Sequence, residues 1–189
     1  MVPNRFCVFC GNRPENKNKE HILPQWLISL TGNPSRVVNF GLDYTNGKVI
    51  NFSWSSFVAP ACERCNSDYA DLEGVAKYLL QKLITRKHLT GLEYISLLDW
   101  LDKVRIGLWL TYHMIQKNPT GISPSFHINS RIASKDRMLA VYLMQTENEG
   151  MNAFGVESLV FHRMPSCFVL NINNIAILNM SCDYLFSRR

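Results

Sequence analysis

The chain has 189 residues, 47% of them hydrophobic and 19% charged, enough to bury a real core in one medium domain or in a small catalytic module with a second lobe. Lysine and arginine outnumber aspartate and glutamate by 20 to 15, a modest positive excess compatible with a polyanionic partner. No apolar run approaches the roughly 18 residues of a membrane span, and the opening MVPNRFCVFCGN lacks the apolar core of a signal peptide, so the expectation is a cytoplasmic protein with no membrane partner.

In chain order, Phe6 to Gly11 reads as a knuckle in which Gly11 supplies the turn that lets the Cys7 and Cys10 sulfurs face one metal. A polar loop follows to Lys19. The run Lys19-Glu20-His21-Ile22-Leu23 is extended and stopped by Pro24, which cannot donate to a strand ladder and biases its predecessor away from helix. Gln25 to Leu30 makes a turn or two of helix with Pro24 at its first position. Arg36 to Leu42 and Lys48 to Val58 are rich in β-branched and aromatic residues and flank Asn46-Gly47, which suits a tight turn with positive φ, so they predict a β-hairpin inserted between two knuckles. The second knuckle, Pro60 to Asn66, carries Cys62 and Cys65.

From Asn66 to about Lys87 the spacing of Tyr69, Leu72, Ala76, Leu79, Leu80 and Leu83 is helical. Thr90 with Glu93 forms a capping-box pattern that opens a second helix, Gly91 to about Lys117, long enough to pack antiparallel to the first. Beyond Gly121, short β-like runs at Met138 to Met144, Asn152 to Val156, Leu159 to His162 and Cys167 to Met180 predict a small antiparallel sheet. The fold class expected is α+β, divided into residues 1–88 as a core and 89–189 as a lobe for substrate placement or partner docking.

Six cysteines are present, four of them in the two Cys-x-x-Cys pairs. In a reducing compartment those four read as ligands of one tetrahedral Zn2+, and in an oxidising one as disulfides. Cys167 and Cys182 read as small buried hydrophobes. A shared zinc would draw the end of the Glu20-His21 strand and the start of the Asn66 helix together, because each lies within about ten residues of a knuckle and chain reach is about 3.3–3.6 Å per residue. A carboxylate, an imidazole and a carboxamide would then share one small volume. Glu20 and Asn66 offer hard oxygen ligands to Mg2+ or Mn2+, and a neutral His21 can take a proton from an attacking water.

Cys7-x2-Cys10, Glu20-His21-Ile22-x-Pro24 and Cys62-x2-Cys65-Asn66 together resemble the HNH (ββα-metal, His-Me finger) endonucleases with a zinc-stapled core, and the Cys-x-x-Cys-Asn ending is similar to that of the recombination endonuclease VII group. The resemblance covers about residues 5 to 75 and implies a zinc-stapled ββα-metal core, with the hairpin, helical pair and sheet as additions. It implies Glu20 and Asn66 as ligands of the catalytic cation, His21 as general base, the four cysteines as purely structural, and DNA as substrate, with a role in DNA processing or defence against foreign DNA.

Alternatives stay open on the residues themselves. Glu20-His21 also reads as an ordinary strand-end pair, Asn66 as a helix N-cap, and Glu73, on one helical face with Asn66 and Tyr69, either as a further metal contact or as a packing or solvent-facing residue. Lys19 and Arg64, with Arg13 and Lys17, read as contacts to nucleic-acid backbone or as a solvated charged face. A non-catalytic zinc-stapled module binding nucleic acid or protein, and an RNA-cutting nuclease, are the competing functions; a second copy of the chain or a regulatory protein is a further partner to consider.

Overall fold

The computed structural model describes residues 6–16, 18–43, 46–116, 121, 123–124, 126–133, 137–145 and 149–181, with only the backbone at 40–41. Lys17 and Cys182 lie outside the described residues. The protein is mixed α+β. Strand β1 (Asn18–His21) leads into α1 (Gln25–Leu30), the strands β2 (Val37–Leu42) and β3 (Val49–Ser53), and β4 (Val58–Ala61). Three helices follow, α2 (Glu63–Ser67), α3 (Ala70–Ile84) and α4 (Gly91–Ile115), and then β5 (Arg137–Leu143), β6 (Met151–Phe154), α5 (Leu159–Arg163), β7 (Cys167–Ile172) and β8 (Ile175–Ser181).

Helix α4 is the axis of the fold. Thr90 Oγ1 accepts from the Glu93 N–H while the Glu93 carboxylate accepts from the Thr90 N–H, so the predicted capping box starts the helix as read. From Trp100 to His113 every residue is buried, the signature of a helix packed on all sides. It lies against α3, β4, β5 and β8 and joins one continuous apolar cluster that runs from Phe6 to Ile177. Within this apolar run sit Asp102, Lys103 and Arg105, all buried. Asp102 pairs with Arg105 at 2.7 Å and with Arg137 of β5 at 2.9 Å, and Arg105 also donates to Asn179 of β8, so a charged network ties the helix to the C-terminal sheet.

That sheet is antiparallel in the order β5-β8-β7-β6, with β7 and β8 turning through Asn173 at φ +52°. β2 and β3 form the predicted inserted hairpin, closed by the Asp43 N–H to the Lys48 carbonyl at 2.8 Å, with Gly47 at φ +69°. β1 pairs antiparallel with β4, placing Glu20 opposite Ala59 and His21 opposite Val58.

Several sequence expectations are corrected. The run from Lys48 to Val58 is not one strand: Trp54 buries its indole and donates to the Met151 carbonyl, a 3-10 turn forms at 54–56, and the chain beyond it leaves β3 to pair with β1. The helix expected from Asn66 begins earlier, at Glu63, and breaks at Asp68 and Tyr69 into α2 and α3. Leu159 to His162 is helix, not strand, because Ser158 caps the Phe161 N–H, and a four-residue apolar run carries too little periodicity to decide between the two. No helix among the described residues is long and apolar enough to cross a membrane.

Candidate functional site

The sulfurs of Cys7, Cys10, Cys62 and Cys65 lie within 4.8 Å of one another, with Cys10 and Cys62 at 3.9 Å. Tetrahedral bonds of about 2.3 Å would set the sulfurs about 3.8 Å apart, so the four are arranged to hold one metal ion such as zinc. The clasp is built by backbone: the Gly11 N–H reaches the Cys7 carbonyl at 2.8 Å, Val8 donates to the Pro60 carbonyl at 3.1 Å, and the Cys62 N–H points at the Cys7 sulfur at 3.3 Å. Gly11 sits at φ +78° with the His127 ring against it, and a Cβ there would lie 2.4 Å from that ring. Ile128 and Asn129 donate to the Val8 and Phe9 carbonyls and hold the knuckle from the other side.

The clustered sulfurs perturb one another's ionisation. Burial works against the Cys7 thiolate, yet the N–H groups of Cys10, Cys62 and Phe9 outweigh it and pull the thiol below its ordinary value. Burial, then hydrogen bonding to the Cys10 sulfur and the charges of Cys7 and Cys10, push Cys65 up to about 12, because a further thiolate beside these sulfurs is disfavoured in a poorly solvated space. A divalent cation removes that penalty.

Beside the cluster lies an open cavity of about 530 Å³. Glu20 and His21 from β1, Asn66 from α2, Tyr69 at the start of α3 and Glu73 within it all line it, so the three residues expected to carry chemistry meet in one volume. Lys19, Lys77 and Trp26 complete its rim. Arg64 and Arg13 do not line it and lie exposed elsewhere. Asn66 caps no helix: α2 starts after Cys62 and α3 after Tyr69, neither with a side-chain cap, so the N-cap reading of this residue is set aside. Tyr69 stacks on Phe9 of the first knuckle with ring centroids 4.9 Å apart and donates to Asn129 Oδ1 at 2.9 Å, which fixes this lining residue.

The back of the cavity is a residue that sequence reading missed. Lys103 Nζ reaches in from α4, contacts Glu20 Oε1 at 2.5 Å, and also contacts Glu73 Oε1. Its side chain is 2% exposed and that of Glu20 6%. Burial raises the Glu20 carboxyl above its ordinary value, Lys103 opposes the rise, and the nearby Glu73 adds to it. The signal that could have found Lys103 is its place in WLDKVRIGLWL, where charged residues interrupt a run with no polar face.

Comparisons with protein-family models, with curated proteins and with solved structures return no match for this chain.

Proposed function

We propose that this protein is a metal-dependent HNH endonuclease that hydrolyses DNA phosphodiester bonds, stapled by a zinc ion on Cys7, Cys10, Cys62 and Cys65. One observation carries the reading: the adjacent Glu20 and His21 and the distant Asn66, which directly follows the cluster's Cys65, line a single open cavity. β1, which carries Glu20 and His21, pairs antiparallel with β4, and α2, which carries Asn66, follows β4; this supports the ββα reading. The oxygens of Glu20 and Asn66 form a hard-donor pair suited to Mg2+ or Mn2+. Such a cation, when bound, neutralises charge on the scissile phosphate and on the leaving oxygen.

The chain's own groups supply the rest. The His21 imidazole, in its unprotonated form, takes a proton from the attacking water as its oxygen bonds to phosphorus, and the bond from phosphorus to the 3′-oxygen breaks in line. Lys19 and Lys77 at the rim offer their ammonium groups to flanking phosphates. These contacts read backbone rather than bases, so low sequence specificity is expected.

The test is cleavage of plasmid DNA with Mg2+ or Mn2+ by wild type and His21→Ala at matched zinc content. Cutting that vanishes in the variant establishes the nuclease and assigns the base. A second reading, a zinc-stapled module that binds nucleic acid or protein without turnover, is favoured by the Glu20–Lys103 pair, which already gives the carboxylate a cationic partner. Binding without cleavage of either DNA or RNA by wild type would select it; cleavage of RNA alone would change the substrate and keep the site.

A further inference from the structure

Two carboxylates and one ammonium group meet in the cavity, and the burial of Glu20 and Lys103 makes the charge count consequential. Glu20 and Glu73 each bring one negative charge, and Lys103 returns one positive charge by contact with both. Asn66 adds none, and His21 adds none while neutral. Lys19 and Lys77 are exposed at the rim, where water screens them. Lys103 is different, because its side chain is 2% exposed and it stands in the stretch of α4, Trp100 to His113, where every residue is buried. It cannot leave without stranding an ammonium in the apolar core.

We infer that Lys103 is a built-in counter-charge that keeps the site's affinity for divalent cations low until a phosphate group joins it. The inference rests on the metal-dependent reading above. Affinity for a hard cation rises with the number of charged ligands around it. With Lys103 in place the site offers a divalent ion one net negative charge instead of two. A phosphodiester brings the missing charge itself, so cation and nucleic acid bind best together, and each raises the affinity of the other by the same factor. The device would hold the site weakly loaded in the resting protein and load it on the substrate. No change of conformation is needed.

The probe is Mn2+ alone, titrated calorimetrically or by electron paramagnetic resonance into zinc-loaded protein without nucleic acid. Lys103→Gln keeps a hydrogen-bond donor between the carboxylates and drops the charge; it should bind Mn2+ at least about tenfold more tightly, the effect of one unit charge within contact distance of a ligand at the effective dielectric near a protein surface. Glu73→Gln, at a partly exposed side chain and with the Glu20–Lys103 pair kept, should weaken binding by a similar factor. The double variant restores the wild-type charge count and should return to within about threefold of wild type.

Unchanged or weaker Mn2+ binding in Lys103→Gln overturns the inference and leaves Lys103 as a residue that only positions Glu20. Should that variant not fold, Glu73→Gln decides alone, since affinity equal to wild type there also overturns it. Failure of the nuclease reading is a separate result: wild type would then bind no Mn2+ that Glu20→Gln abolishes, with or without a DNA duplex present.

Discussion

Gly107 of α4 and Ile22 pack so closely that a Cβ on the glycine would lie 2.8 Å from both Cδ1 and Cγ2 of the isoleucine. Ile22 follows His21 directly, so the missing side chain on the helix sets how near the end of β1 can approach the core. Alanine in a helix interior is normally favoured over glycine by about 0.5–1 kcal/mol. Here overpacking costs about 1–3 kcal/mol and should win. Gly107→Ala is therefore expected to lower stability by about 1 kcal/mol and, on the nuclease reading proposed above, to cut cleavage more than its stability loss explains, because Ile22 is bonded directly to His21. A double-mutant cycle in urea with Ile22→Val should show less-than-additive loss, since valine lacks one of the two clashing carbons.

Stripping the metal from the four-cysteine cluster is the second prediction. Cys7 and Cys62 are buried, and the sulfurs join two knuckles that are also linked by the Val8 N–H to the Pro60 carbonyl. Chelation, or Cys62→Ser, should release one zinc per chain with proton uptake by the freed thiolates and lower the melting temperature by roughly 10 °C or more. The loss should fall first on β1, β4 and α2, read as faster amide exchange there than in β7 and β8. A chain that holds no zinc at native stability would remove the staple from the description.

How much of this was legible follows from how local each signal is. The capping box of Thr90 and Glu93, the knuckles with their two-residue spacing, and Gly47 at positive φ are each specified within a few residues and stand where the pattern puts them. The pairing of β1 with β4 is not local. β4 enters it only after the turn at Trp54, whose indole donates to the Met151 carbonyl across 97 positions. Lys103 and Glu20 lie 83 positions apart, and no periodicity links them. What the sequence did offer was the anomaly of Asp102, Lys103 and Arg105 inside an apolar helix, which marks partners without naming them. Glu73 stood open between metal contact and packing; the structure puts it on Lys103 and in the cavity.

The network on Asp102 leads to a third prediction. Its carboxylate is fully buried and accepts from both Arg105 and Arg137, while Asp99 accepts from the same Nη1 of Arg137. Asp102→Ala would leave Arg105, which is 1% exposed, with its charge uncompensated in the core. Breaking a buried pair from one side costs about 3–5 kcal/mol, so this variant should be severely destabilised. Asp99→Ala, at a partly exposed carboxylate, should cost about 1 kcal/mol or less. Equal losses in urea denaturation from the two would mean that the network is not what joins α4 to the sheet.

Acid sensitivity gives the last prediction, through His162 of α5. Its ring is buried and stacks on Tyr112 with centroids 4.0 Å apart. Burial, and then the neighbouring His113, push its pKa down from 6.5 to about 4. The folded state therefore holds the neutral ring where the unfolded chain would already be protonated. Stability is whole above pH 6.5, falls as the pH drops through the window to about 4, and levels off below it. A depression of that size corresponds to about 3 kcal/mol across the window. Other groups titrate there too, so the measurement is a difference: urea unfolding of wild type and His162→Phe at pH 7.5 and 4.5. Phenylalanine keeps a flat ring against Tyr112 and cannot take a proton. The variant should lose less stability on acidification than wild type, and parallel losses would show that His162 is protonated as readily in the fold as out of it.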